Sequence, residues 1–247
     1  MRIAVAGGTG TVGREIVAAV RARGHEAVVI ARSAGVDLRT GIGLDAALDG
    51  ADAVIDASSV GTMSAEESTA FFRTASETLL TGAFRAGIRH ALLLSIVGID
   101  RNPHGYYAGK VAQEGVWARS PVPSTIVRAT QFHEFAGQVA GQAKLGPIQL
   151  APHARIQPIA AAEVATHLAG LVEAPAAGRV SDISGPREED LADMIRAWVR
   201  HQGRRGPVVA ANLPGPQMRG MRAGAALPGP DAQRLGPAYA DWLVRRG

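Results

Sequence analysis

From Arg2 to about Thr130 the chain alternates short apolar runs with stretches of helical period. The first run, "RIAVAG" (Arg2 to Gly7), is closed by glycine, as a buried parallel strand would be. "TVGREIVAAVRARG" follows, with apolar Val12, Ile16, Val17, Ala19 and Val20 at helical spacing and Gly24 as a stop. "EAVVIA" predicts a second strand, and Val36 with Leu38 a weak third. "LDAALDGADAVIDAS" predicts a short helix and then a strand at 53–57. Ser64 and Glu67 form a capping box that opens a long helix to Ala86. "HALLLS" is a fifth strand, Tyr107 to Arg119 a helix, and "STIVRAT" a sixth strand. Strands alternating with helices at this rhythm predict an α/β fold built on a doubly wound parallel sheet.

After Thr130 the rhythm loosens and glycines and prolines multiply. Helices are expected near 161–173 and 188–202, and a last one ends in "YADWLVRR". We therefore expect residues 1–150 to form the nucleotide-binding core. Residues 151–247 should contribute a small substrate-binding subdomain over the carboxyl edge of the sheet, where such folds bind ligands.

Composition narrows the classes. At 247 residues with 47% apolar and 19% charged residues, the chain can bury a core of ordinary size. The formal charge of +4 is modest and the basic residues are scattered. With aromatics at only 4%, this argues against a nucleic-acid partner. No apolar run approaches the roughly 20 residues that cross a bilayer, so no membrane partner is expected. The chain has no cysteine, which removes disulfides and thiolate chemistry and fits a cytoplasmic setting. "MRIAVAGGTG" enters a strand directly, without the pattern of a signal peptide.

"AGGTGTVGRE" carries the candidate cofactor site. Gly8, Gly10 and Gly13 fit G-x-G-x-x-G, and Gly7, Gly10 and Gly13 fit G-x-x-G-x-x-G, directly between the first strand and the first helix. In that context the glycines allow a tight turn and bring backbone up to a pyrophosphate at the helix N-terminus. Together with the sheet they define a Rossmann-type fold. The second strand ends in Arg32 and Ser33, with no carboxylate before Asp37. An acid there would take the ribose hydroxyls of NAD, whereas arginine suits the 2′-phosphate of NADP. NADP(H) is the expected cofactor.

"GYYAGKVAQE" carries the candidate chemistry. Among 26 basic residues only Lys110 and Lys144 are lysine, and Lys110 stands four residues after Tyr106, on the same helical face. A phenol near pKa 10 is a poor base at neutral pH, and an ammonium one turn away is expected to lower it. "QFHEF" after the sixth strand makes Gln131, Phe132 and His133 candidate substrate contacts. His133 lacks a second histidine at ligand spacing, so no metal site is expected.

With "GGTGTVG", Ser95 closing a strand, and Tyr106-x-x-x-Lys110 opening the next helix, the chain resembles an atypical short-chain dehydrogenase/reductase, most closely the NmrA-like, NAD(P)H-binding branch. "LLLSIVGIDRNPHGYYAGKVAQE", "STIVRATQFHEF" and "ISGPREEDLADMI" carry the likeness along nearly the whole chain. The resemblance implies that Tyr106 exchanges the proton, Lys110 holds the nicotinamide ribose and lowers the tyrosine pKa, and Ser95 hydrogen-bonds the carbonyl oxygen. The cofactor contacts it implies are Gly7, Thr9, Gly10, Thr11, Val12, Gly13, Arg32, Ser33, Ala57, Ser58, Ser59, Lys110, Ala129 and Thr130. The fourth member of such a set, usually an asparagine on the long helix, has no counterpart between Ser64 and Ala86. The expected function is NADPH-dependent reduction of a carbonyl or quinone in a small, largely apolar molecule, by a monomer or homodimer. The alternatives are a non-catalytic NADP(H)-sensing regulator with a protein partner, and an NAD(P)-dependent epimerase or isomerase.

Overall fold

The computed structural model describes residues 1–146, 148–204 and 206–246. The chain divides into two compact units. One comprises Met1–Ile96, Pro103–Arg128 and Ala162–Ser181, and the other Val97–Asn102, Ala129–Ala161 and Asp182–Gly247.

The first unit is built on parallel strands β1 (Arg2–Ala6), β2 (Glu26–Ile30), β3 (Ala53–Asp56), β4 (His90–Ile96) and β5 (Ser124–Ala129). Its helices are α1 (Thr11–Ala22), α2 (Leu44–Leu48), α3 (Ala65–Arg85) and α4 (Tyr106–Trp117). The strand order is β5-β4-β3-β1-β2. Ile3 pairs in parallel with Ala27 on one side and Ala53 on the other, and Ala53 with His90. The direction of winding reverses between β1 and β3, and the crevice at such a switch point is where open α/β sheets take ligands. Strands β3 and β4 are buried almost throughout, as a parallel sheet covered on both faces requires.

One core cluster joins Ala4, Val54, Ala91 and Leu93 to Leu79 and Ala83 of α3 and Trp117 of α4. Helix α1 buries Val12, Ile16, Val17 and Val20 and packs against β1 and β2. Ser64 caps α3 as expected, its Oγ accepting from the Glu67 amide at 3.3 Å. Helices α3 and α4 are pinned by Trp117 Nε1 donating to Ser76 Oγ at 3.2 Å and by Ser68 Oγ donating to the Tyr106 carbonyl at 2.9 Å.

Two elements differ from expectation. Val36 and Leu38 are buried but form no strand: a 3-10 turn at Arg32–Ala34 ends at Gly35 with φ +79°, and Asp37 then closes a second turn through the Arg39 amide. Helix α4 starts one residue early, at Tyr106, because Gly105 with φ +55° lets the chain enter the helix there.

In the second unit, helices Phe135–Gln142 and Leu191–His201 contribute to a core with Ala151, Ile156, Met194, Ile195, Met221, Tyr239 and Trp242. Among the described residues no helix is long and apolar enough to cross a membrane.

Candidate active site

The glycine loop turns from the end of β1 into α1. Gly7 has φ +76°, and its amide donates to the Ile30 carbonyl at 2.9 Å. A Cβ there would stand 2.6 Å from the Ala57 carbonyl oxygen, so the loop lies hard against the segment leaving β3. At Gly13 a Cβ would come within 2.7 Å of the Gly7 carbonyl carbon and 2.8 Å of Gly8 Cα. Only glycine lets the loop fold back on the helix. Gly10 is the N-cap of α1, and Arg14 clips the loop by donating to the Thr9 carbonyl at 2.7 Å. Thr9 and Gly10 are exposed, Thr11 half-buried and Val12 buried. Helix α1 thus presents its N-terminal amides beside the sheet's carboxyl edge, the arrangement that accepts a phosphate.

Arg32 and Ser33 are exposed on the turn after β2, and the Arg32 guanidinium has no partner among the described residues. The next carboxylate along the chain, Asp37, is engaged in its own turn, accepting from the Arg39 amide. Ala57, Ser58 and Ser59 leave the end of β3. Among the described residues Ser58 Oγ and Ser95 Oγ are buried without a hydrogen-bond partner, and such unmatched polar atoms fit a polar ligand. The glycine cradle, the unpartnered Arg32 and these two hydroxyls therefore suit a nicotinamide dinucleotide.

Tyr106, Lys110 and Ser95 all belong to the first unit. The Tyr106 hydroxyl pairs with Ser59 Oγ at 2.9 Å, and its ring meets Phe72 edge-on at 5.4 Å. Lys110 is 3% exposed. Its Nζ donates to the Leu94 carbonyl at 2.8 Å and to Gln113 Oε1, and lies 4.8 Å from the centroid of the Phe72 ring. Gln113 in turn donates from Nε2 to Asp56 Oδ2 at 2.9 Å, and Asp56 Oδ1 accepts the Ser58 amide at 2.8 Å. Burial pulls the Lys110 pKa down to about 8, partly offset by the charges of Asp56 and Glu114.

The expected lowering of the tyrosine pKa is reversed. Burial pushes the Tyr106 phenol up to about 12, opposed by the Ser59 hydrogen bond and reinforced by Asp56. Desolvation outweighs an ammonium whose hydrogen bonds go to the Leu94 carbonyl and Gln113. Tyr106 is therefore a protonated phenol at neutral pH. The neighbouring Tyr107 is buried at 5% exposure.

Ala129, Thr130, Gln131, Phe132 and His133 belong to the second unit. The Thr130 hydroxyl is taken by the Gln157 carbonyl at 2.6 Å, and Phe132 bridges to Ile159. Gln131 and Phe132 are half-buried. His133 departs from expectation. It is fully buried, its Nε2 donating to the Pro237 carbonyl at 3.1 Å, with its ring 5.4 Å from Tyr239 and 5.1 Å from Trp242. Burial lowers its pKa to about 4, so the ring is neutral where it packs.

Asp56, Ser68, Phe72 and Gln113 also stand at the site without having been expected there. Asp56 did carry a signal, as a carboxylate closing an otherwise apolar strand, "AVID". Gln113 shares the helical face of Lys110 three residues on. Nothing local marked Phe72, which meets both the Tyr106 ring and the Lys110 ammonium. Among the described residues no cluster could hold a metal ion.

Residues 3–98 match the NAD dependent epimerase/dehydratase family. No curated protein sequence matches the chain significantly. Solved structures match its fold from end to end. An NADPH-dependent quinone oxidoreductase from Escherichia coli, solved with NADPH, is 18% identical, with a TM-score of 0.72 over 99% of each chain. A UDP-glucose-4-epimerase from Stenotrophomonas maltophila with bound NAD is 14% identical, with a TM-score of 0.76 over 99% of this chain and 96% of that one. A short-chain dehydrogenase/reductase superfamily protein from Agrobacterium tumefaciens with bound NAD is 15% identical, with a TM-score of 0.69 over 99% and 95%. Fold and glycine loop define a Rossmann-type α/β protein. Its fold is the one shared by these short-chain dehydrogenase/reductase, quinone oxidoreductase and epimerase structures.

Proposed function

We propose that the protein is an NADPH-dependent reductase of a carbonyl or quinone group in a small, largely apolar molecule, in the manner of the NmrA-like branch. The observation that carries this reading is the state of Tyr106. Burial holds its phenol protonated, with a pKa of about 12, and Ser59 holds its hydroxyl in place. Reduction of a carbonyl needs a proton donor beside the developing alkoxide, and a neutral phenol supplies one. Oxidation of an alcohol, the first step expected of an epimerase, needs the phenolate, which this site disfavours.

The loop at Gly7, Gly10 and Gly13 would hold the pyrophosphate, Arg32 and Ser33 the 2′-phosphate, and Ser58 the polar edge of the dinucleotide. When bound, NADPH supplies the hydride, and the protein supplies position and the proton. Ser95 Oγ is free to donate to the substrate oxygen, fixing it for protonation by Tyr106. The phenolate left behind then takes a proton back from solvent.

One feature favours a second reading, a sensor without turnover. The Lys110 ammonium already has two oxygen acceptors and an aromatic ring, which leaves it little capacity for a ribose. Oxidation of NADPH with a panel of ketones and quinones separates the two. Tyr106→Phe is expected to keep NADPH affinity and to cut ketone turnover by about two to four orders of magnitude. Wild-type turnover in that variant, or no turnover with any acceptor, would refute the reductase.

A further inference from the structure

Buried charges are tolerated when something compensates them, and among the described residues Lys110 has no carboxylate in direct contact. Among the described residues, the charges of Asp56 and Glu114 act on it, and Tyr106 stands one helical turn before it. Glu114, on its own helix, is occupied by Arg128 of β5, which donates from Nε to Oε1 at 2.8 Å and from Nη2 to Oε2 at 2.7 Å. Tyr106 is a neutral phenol. Asp56, from β3, is 1% exposed and makes no ion pair among the described residues. From β4 and α3 the ammonium meets the Leu94 carbonyl and the Phe72 ring.

Gln113 spans the gap between the two isolated charges. Its side chain is 0% exposed, with the carbonyl on the ammonium and the NH2 on the carboxylate. An amide satisfies both ends at once because one end accepts and the other donates. A second glutamine orientation would set NH2 against ammonium and carbonyl against carboxylate, so the polarity of the bridge is dictated by the charges. We infer that Asp56, acting through Gln113, is the counter-charge that keeps Lys110 protonated and fixes its ammonium at the Leu94 carbonyl. Asp56 and Gln113 are then positioning residues of the tyrosine–lysine site, a role that rests on the reductase reading, whereas the ionic bridge itself does not.

Both Asp56 oxygens accept, one from Gln113 and one from the Ser58 amide, so in Asp56→Asn an NH2 must face one of these donors unless Gln113 turns over, which would break its bond to Lys110. In Gln113→Met the bridge is cut while Asp56 stays. Both changes make the ammonium harder to keep, so both should lower the pKa of Lys110.

The chain's two lysines make this directly readable. In protein labelled with 13C-lysine, the Cε–Hε resonances are assigned by Lys144→Arg and titrated. Lys110 should titrate at about 8 in the wild type. In Asp56→Asn and in Gln113→Met its midpoint should fall by about one pH unit, the lower end of the effect of a nearby opposite charge. Lys144 should not move. An unchanged Lys110 midpoint in both variants would overturn the inference. If Asp56→Asn does not fold, the Asp56→Asn/Lys110→Met double variant should, since it removes both buried charges; failure of that double variant as well would also overturn it. The alkaline limb of NADPH-dependent turnover should follow the lysine midpoint downward. A lysine midpoint that moves while the rate profile stays would support the bridge and refute the role assigned to Lys110 in reduction.

Discussion

Gly109 offers a test in which local and tertiary physics have opposite signs. It lies inside α4, where glycine costs about 0.8–1.0 kcal/mol relative to alanine, so from helix propensity alone Gly109→Ala should stabilise the protein. In the folded protein a Cβ at this position would stand 2.6 Å from both the carbonyl carbon and the carbonyl oxygen of Ser68. Those atoms are backbone of α3 and cannot rotate away. To restore an ordinary separation the two helices must part by nearly 1 Å, which also strains the 2.9 Å bond from Ser68 Oγ to the Tyr106 carbonyl. Overpacking of this kind costs about 1–3 kcal/mol, and the lost hydrogen bond about 1 kcal/mol more. Set against the gain in propensity, the net expectation is a loss of about 1–3 kcal/mol. For a chain of this size each kcal/mol lowers Tm by roughly 2–4 °C. Gly115→Ala is the control on the same helix, because a Cβ there meets only the flexible Arg119 Nη1 at 3.6 Å. It should be neutral or stabilising by up to about 1 kcal/mol. Thermal and denaturant unfolding of the two variants decides the matter: a Gly109→Ala protein as stable as the wild type would refute the close approach of α3 and α4. Turnover should fall with it, since the displaced turn carries Tyr106.

Two further outcomes follow from the site and from the second unit. Arg32 is exposed and unpartnered among the described residues, so Arg32→Ala should leave unfolding within about 0.5 kcal/mol of wild type. It should weaken NADPH binding by about 1–3 kcal/mol, with NADH unaffected; equal losses for both dinucleotides in a binding titration would refute the 2′-phosphate role. His133 has a folded pKa of about 4, below its ordinary 6.5, so acid favours the unfolded chain, which takes up the proton first. Stability should therefore be lost as pH falls from about 6.5 to 4, by about 2–3 kcal/mol from this residue alone. His133→Phe should flatten that part of the profile, and an unchanged slope in denaturant unfolding would show that His133 is not held neutral.

Much of the glycine-loop end could be read from local pattern. "RIAVAG", the spaced glycines and the helical period after Thr11 describe a strand, a turn and a helix whose geometry depends on neighbouring residues alone. The Ser64–Glu67 cap is equally local. Arg32 and Ser33 could be placed at a strand end because strand length and loop length fix that position. The limits appear where the pattern is ambiguous. Val36 and Leu38 are as apolar and as buried as strand residues, yet Gly35 and the Asp37 turn take the backbone elsewhere.

What tertiary structure alone decided is the chemical state of the side chains. The pairing of Tyr106 with Ser59 spans 47 positions, that of Gln113 with Asp56 spans 57, and that of Lys110 with Leu94 spans 16. Spacing along α4 placed Tyr106 and Lys110 on one face and so implied mutual tuning. The fold instead turned the ammonium toward Gln113 and the sheet, and set Phe72 against both residues. His133 likewise looked available in a loop sequence and is sealed beneath Tyr239 and Trp242. Sequence determines which groups can ionise and where along an element they stand. Whether they do ionise depends on how much water packing removes and which distant dipoles replace it, and both are set only when the strands and helices close around them.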